Sequence, residues 1–215
     1  DNTYKMGWGK SIVECCLEDE SIDTIHFDDI SKKMFKYYWN QTIFFDLQQG
    51  SNPIKPPVFI SYVKSKIEDY QKEYGYQPIE FERVEKKIDL DIKFLNGLLA
   101  ENVSHRFLKI SGKKYLLYEL DNRNKTIKVS NPSILKEYSD VLFEVINYRW
   151  VQILETYNSS PRISKKIKIT DSNKIVNLRK NENSVLGGIL DLGSKNNKIL
   201  SGIKLKASDR IVNIV

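Results

Sequence analysis

The strongest constraint on this chain is a long apolar stripe between Ser133 and Tyr157. Leu135, Val141/Leu142, Val145/Ile146, Trp150 and Ile153/Leu154 recur at steps of three and four residues. That spacing puts them on one face of an α-helix. Pro132 and Ser133 open the segment, and Asn158–Ser159–Ser160–Pro161 close it. About 25 residues of helix extend about 37 Å at the helical rise, so this element is expected to organise the domain around it.

Shorter elements precede it. Asp28 or Asp29 caps a helix carrying Ile30, Met34, Tyr37, Gln41 and Phe44, which ends before Gly50–Pro53. A second helix is expected over Pro57–Tyr74 and a third over Phe81–Ala100, where the LDIKF portion also reads as a strand. Arg106–Ile110 and Lys114–Leu120 flank Ser111–Gly112 as a hairpin, and Thr126–Val129 adds a third short strand. The fold class expected is α+β, mostly helical with a small antiparallel β-meander. Domain 1 is placed at 1–160 and a basic C-terminal segment at 161–215. There, RISKKIKIT alternates like a short basic strand or an extended arm.

The charge is unevenly spread. The chain carries a formal net charge of +6, yet the residues from Asn158 onward hold 12 Lys+Arg against 4 Asp+Glu. All the excess positive charge sits in that last quarter, which points to a polyanionic partner. No run of about 18 apolar residues exists, so no membrane span is expected, and the N-terminal stretch does not read as a secretory signal. Cys15 and Cys16 are adjacent and read as reduced thiols of a cytoplasmic protein.

Few residues offer catalytic chemistry. His26 and His105 stand apart, expected in a loop and before a strand, and no second cysteine pair exists to build a zinc site. Asp89, Asp91 and Lys93 form a D-x-D-x-K run, in which two carboxylates would hold Mg²⁺ while the lysine polarises water or phosphate. That is the logic of PD-(D/E)xK nucleases. On a helix, Asp89 and Lys93 would instead be an ordinary ion pair one turn apart. Three helices and a hairpin also follow the order of a winged helix, with Arg83, Lys86, Lys87 and Lys93 on the groove-facing helix and Lys113 and Lys114 at the hairpin tip.

The block KYYWNQTIFFDLQQG gathers Trp39 and other aromatics around Asn40, Gln41, Gln48 and Gln49. It is either an aromatic core helix with internally bonded amides or a surface read by hydrogen bonds, since Asn and Gln bond adenine bidentately. Together with NPIKPP, RFLKISGKKYLLYELD and LFEVINYRWVQILETYNSSPRISKKI, it resembles the N-terminal region of bacterial HNH endonucleases of restriction or phage-defence type. The resemblance runs from about Trp8 to Ile169. It implies a nuclease after the PRI block, with a Cys-x-x-Cys knuckle leading to an Asp-His strand. In NKILSGIKLKASDRIVNIV, Ser201–Gly202 and Val212–Asn213 stand at those places. In that register the zinc-ligand thiolate and the general base are missing.

The expected function is therefore the DNA-binding part of such an endonuclease. Trp39, Asn40, Gln41, Gln48 and Gln49 are the candidate base or sugar contacts. Arg162, Lys165, Lys166 and Lys168 are the candidate phosphate contacts, and Arg149 would serve either purpose. No cofactor is evident, with Mg²⁺ needed only if the chain cuts through Asp89, Asp91 and Lys93. The alternatives are that Mg²⁺-dependent nuclease and a non-catalytic interaction subunit. The partners expected are DNA and either a nuclease subunit or a second copy.

Overall fold

The computed structural model describes residues 3–19, 21–110, 113–114 and 117–170. The chain divides into two compact units, Asp1–Ser159 and Ser160–Val215. The first is a mostly helical α+β unit with a small antiparallel sheet. Its helices are α1 (Tyr4–Glu18), α2 (Phe27–Phe45), α3 (Val58–Tyr74), α4 (Phe81–Val84), α5 (Ile92–Leu99), α6 (Pro132–Glu137) and α7 (Ser139–Glu155).

Helix α1 is the element that the sequence pattern did not disclose. It packs against both α2 and α7. Its sequence has no clean stripe, because Gly7, Gly9, Lys10 and Ser11 are buried along with Trp8, Ile12 and Val13. Gly7 permits the close approach to α2: a Cβ there would stand 3.2 Å from both Met34 Cε and Tyr38 Oη. The core between these helices is aromatic. Trp8, Phe27, Phe35, Tyr38, Trp39, Phe59, Tyr118 and Trp150 are fully buried. Neighbouring rings meet edge-on, as Tyr38 does with Phe59 and Trp150 at 5.6 Å between centroids, the geometry their quadrupoles favour.

Strand β1 (Thr24–His26) pairs antiparallel with β5 (Thr126–Val129), which pairs with β4 (Tyr118–Asp121). The order is β1–β5–β4, with Ile127 opposite both Ile25 and Leu120. His26 thus lies on a strand, not in a loop. Strands β2 (Lys109–Ile110) and β3 (Lys113–Lys114) form the expected hairpin as a separate pair. The Ser111–Gly112 turn lies outside the described residues.

Two expected helices are broken. The 81–100 segment is α4, a 3₁₀ turn at Glu85–Lys87, an extended link and then α5, which continues as a π-helical turn over Ala100–Ser104. Asp91 caps α5, its Oδ1 accepting from Phe94 N at 2.9 Å, so Asp89 and Lys93 are not one turn apart on a helix. No continuous recognition helix exists there, and Arg83 and Lys87 are engaged by Glu80 at 3.1 Å and by the Tyr74 ring at 4.2 Å. The long helix is likewise divided into α6 and α7 at Tyr138. Helical hydrogen bonds still run through the break, from Tyr138 N to Ile134 O and from Leu142 N to Tyr138 O.

In the second unit the described element is α8 (Ile163–Thr170). RISKKIKIT is therefore helical, not a strand or extended arm. Its apolar residues Ile163 and Ile167 are also one turn apart, so the period-two reading of so short a run was not unique.

Candidate nucleic-acid interface

The amides of the aromatic block are inside the protein. Asn40, Gln41 and Gln49 are 0%, 3% and 1% exposed. Gln49 Oε1 accepts from Thr3 Oγ1 at 2.7 Å and from Trp150 Nε1 at 3.2 Å, while its Nε2 donates to Gln41 Oε1 at 2.6 Å. Asn40 Oδ1 accepts from Phe81 N at 2.9 Å, and Trp39 Nε1 donates to Ile79 O at 3.0 Å. Gln48 is half-buried, and its Nε2 donates to Gly50 O at 2.6 Å. The reading of Trp39, Asn40, Gln41 and Gln49 as base contacts is thereby corrected. Their polar atoms already have partners, and a buried amide leaves such partners only at the full cost of desolvation. This network ties α1, α2 and α7 together through one side chain, Gln49.

Arg149 has a different setting. It is exposed on α7 and lines an open groove of about 560 Å³ with Lys5, Lys55 and Arg106. Three remote pieces of chain build this groove. The first turn of α1 supplies Lys5, and Tyr4 beside it anchors that turn by accepting from Phe59 N at 2.9 Å. Burial pushes the Tyr4 phenol well above its ordinary pKa, so it stays neutral. The 50–57 loop supplies Lys55. Asn52 Oδ1 fixes its tip by accepting from Ile54 N at 2.9 Å and Lys55 N at 3.0 Å. Gly50 lets the loop close on itself, since a Cβ there would lie 2.9 Å from Pro57 Cγ. The turn after α5 supplies Arg106, whose N donates to Val103 O at 3.0 Å.

Among the described residues no carboxylate lines the groove and none of its four cations forms an ion pair. Asn52 and Asn102 add neutral polar groups, and Met6, Pro57 and Ile153 add apolar wall. Such a surface concentrates positive potential in a concave site and accepts phosphate or another polyanion. A second groove, between α1, α2 and α4, offers the contrast. Glu18, Asp19, Asp29, Glu82 and Glu85 face Lys32, Lys33 and Lys36 there, and Lys33 pairs with Glu18 at 2.6 Å. Its carboxylates outnumber its cations, so it does not favour a polyanion.

Arg162, Lys165, Lys166 and Lys168 belong to the second unit, Lys165 and Lys168 on α8 one turn apart. Lys166 Nζ donates to Ser160 Oγ. Ser201, Gly202, Val212 and Asn213 lie outside the described residues.

The D-x-D-x-K run is exposed, and one of its two carboxylates is engaged in capping α5. Among the described residues no group of three or more His, Cys, Asp or Glu is arranged to hold a metal ion. Mg²⁺ is commonly held by one or two carboxylates together with waters and phosphate, and here one of the two, Asp91, is committed to the α5 N-terminus. Both cysteines are free and buried, and burial pushes the Cys15 thiol up to about 12 and Cys16 up to about 11. They are protonated and unreactive at neutral pH. Among the described residues no helix is long and apolar enough to cross a membrane.

Lys5, Lys55 and Arg106 escaped the sequence reading because each is a single cation in an unremarkable local context. Only the NPIKPP turn chemistry marked Lys55 as belonging to a rigid, projecting loop. Comparison of the chain with protein-family models, curated proteins and solved structures finds no match.

Proposed function

We propose that the protein binds DNA in the cytoplasm through the groove of Lys5, Lys55, Arg106 and Arg149, as the recognition part of a restriction or phage-defence endonuclease of HNH type. The observation that carries this reading is the groove itself: four cations converge on it, among the described residues without a carboxylate or an ion pair. Cations left unpaired in a concave surface repel one another, and an arriving polyanion relieves that repulsion while releasing its own counterions. The resemblance of the sequence blocks to HNH endonucleases supplies the biological setting. The basic second unit, with Arg162, Lys165, Lys166 and Lys168, would add phosphate contacts. In this reading the buried amide network is scaffold, and the groove is the reader of the backbone.

A fluorescence-anisotropy titration with labelled duplex DNA at several salt concentrations tests this. Four phosphate contacts predict a log–log slope of about −3 to −4. Replacing Lys55 or Arg106 by Ala should lower the slope by about one each. Lys32→Ala, in the carboxylate-rich groove, should leave it unchanged. Absence of binding at low salt, or equal effects of Lys55→Ala and Lys32→Ala, would overturn the proposal.

A further inference from the structure

Helices α6 and α7 carry an apolar seam that no described residue of the first unit covers. Ile134, Tyr138, Val141, Val145 and Tyr148 are between 51% and 60% exposed. They follow one another at steps of four, three, four and three residues. The opposite face of α7, with Trp150 and Leu154, is buried in the core. A core-facing stripe needs a wide arc, whereas this narrow four–three repeat is the seam by which one helix meets another. The break at Tyr138 leaves the register intact, because the hydrogen bonds on either side of it are helical.

We infer that this seam is a self-association surface, and that its occupant is the same seam of a second copy, aligned parallel. Charge selects both the partner and the direction. Glu137 and Glu144 flank the seam on one side, while Leu135, Leu142 and Arg149 flank it on the other. In a parallel pair the two unlike flanks meet, so Glu144 of each copy faces Arg149 of the other five residues on. In an antiparallel pair like flanks meet, which sets glutamate against glutamate. Glu144 forms no ion pair among the described residues, so it is available. Arg149 also lines the cationic groove, and a guanidinium has five N–H donors, enough for a carboxylate and a phosphate together.

The area sets the size of the interface. Five side chains a little over half exposed offer on the order of 500 Å² per copy, so a pair buries on the order of 1,000 Å², where specific interfaces begin. An interface of that size is compatible with a reversible monomer–dimer equilibrium. It does not depend on DNA binding, and it is measured on DNA-free protein.

Sedimentation equilibrium on the full chain, from low micromolar concentration upward, should show a monomer–dimer equilibrium. Val141→Asp with Val145→Asp should abolish the dimer, and the milder Val141→Ser should weaken it, with thermal unfolding as the check that both fold. Glu144→Arg should weaken association, and adding Arg149→Glu should restore it. Because Val145 meets its own counterpart in a parallel pair, Val145→Cys should form a disulfide-linked dimer on oxidation. A protein monomeric at every concentration, or a dimer that Val141→Asp/Val145→Asp leaves intact, overturns the inference. A reversible dimer in which Val145→Cys gives no crosslink overturns the parallel arrangement.

Discussion

Helices α2 and α7 invert each other. Helix α2 and the residues following it are studded with amides, and those amides are buried; α7 is lined with valines and a tyrosine that stand in solvent. The difference shows that polarity alone does not decide exposure. An amide enters a core when every donor and acceptor finds a partner, as Gln49 does with Thr3, Gln41 and Trp150. A valine stays out when the opposite face of its helix already fills the core. Buried amides specify one arrangement of α1, α2 and α7, because each hydrogen bond is directional. Exposed valines specify nothing inside the molecule, which leaves them for another surface.

Removing the ring at the centre of this arrangement should have the largest effect. Trp150→Ala leaves a cavity beside Tyr37 and Tyr38 and removes one of the three partners of Gln49. A loss of about 3–5 kcal/mol in urea unfolding is expected. Gln49→Ala should cost about 1–3 kcal/mol by the same measurement, since it strands buried polar atoms of Gln41 and Trp150 and leaves Thr3 only its bond with Tyr38. If Gln49→Ala proved neutral, the amides would not be structural and the contrast with α7 would collapse.

A smaller effect is expected at Glu14 on α1. Burial raises its carboxyl pKa, but Lys36 at 2.7 Å and Lys33 at 3.5 Å, with hydrogen bonds from Lys36 and Tyr37, outweigh that and hold it below its ordinary value. A carboxylate depressed in the folded state stabilises the fold fully above its unfolded pKa. That contribution is lost as pH falls through the folded value. Glu14→Gln should therefore flatten the acid limb of a stability–pH curve and lower the plateau near neutrality; an unchanged limb would remove the ion triad from the account. The smallest effect belongs to α7: Val145→Ser should change monomer stability by no more than about 0.5 kcal/mol, measured where the protein is dilute. A core-sized loss there would mean that the seam is covered from within.

Much of the scaffold was legible in local pattern. Thr126–Val129 reads as a strand and is one, and α3 lies within a residue of its expected bounds. Helix α2 exists as expected, but His26, not Asp28 or Asp29, stands at its N-cap, and it ends at Phe45, short of the Gly50 breaker. Helix α1 was not legible, because close packing against α2 and α7 demanded Gly7 and Gly9 where a stripe would carry large apolar groups. The 81–104 segment misled for the opposite reason: apolar residues recur through it, but Asp91 caps a new helix and interrupts the old one. In the candidate site, Arg149 was visible from sequence as an exposed cation on the long helix. Lys5, Lys55 and Arg106 were not, since 50 residues separate the first two and 51 the next pair, and only folding brings them to one groove.

The sequence by itself determined the helical character, the small antiparallel sheet and the concentration of positive charge toward the C-terminus. These follow from short-range periodicity, turn residues and composition, which act within a few residues along the chain. The tertiary structure alone decided that the amides face inward, that Val141 and Val145 of the long apolar stripe face outward, and that four scattered cations share one groove. Those outcomes depend on which faces of distant helices meet, and on whether a buried polar atom finds its partner there.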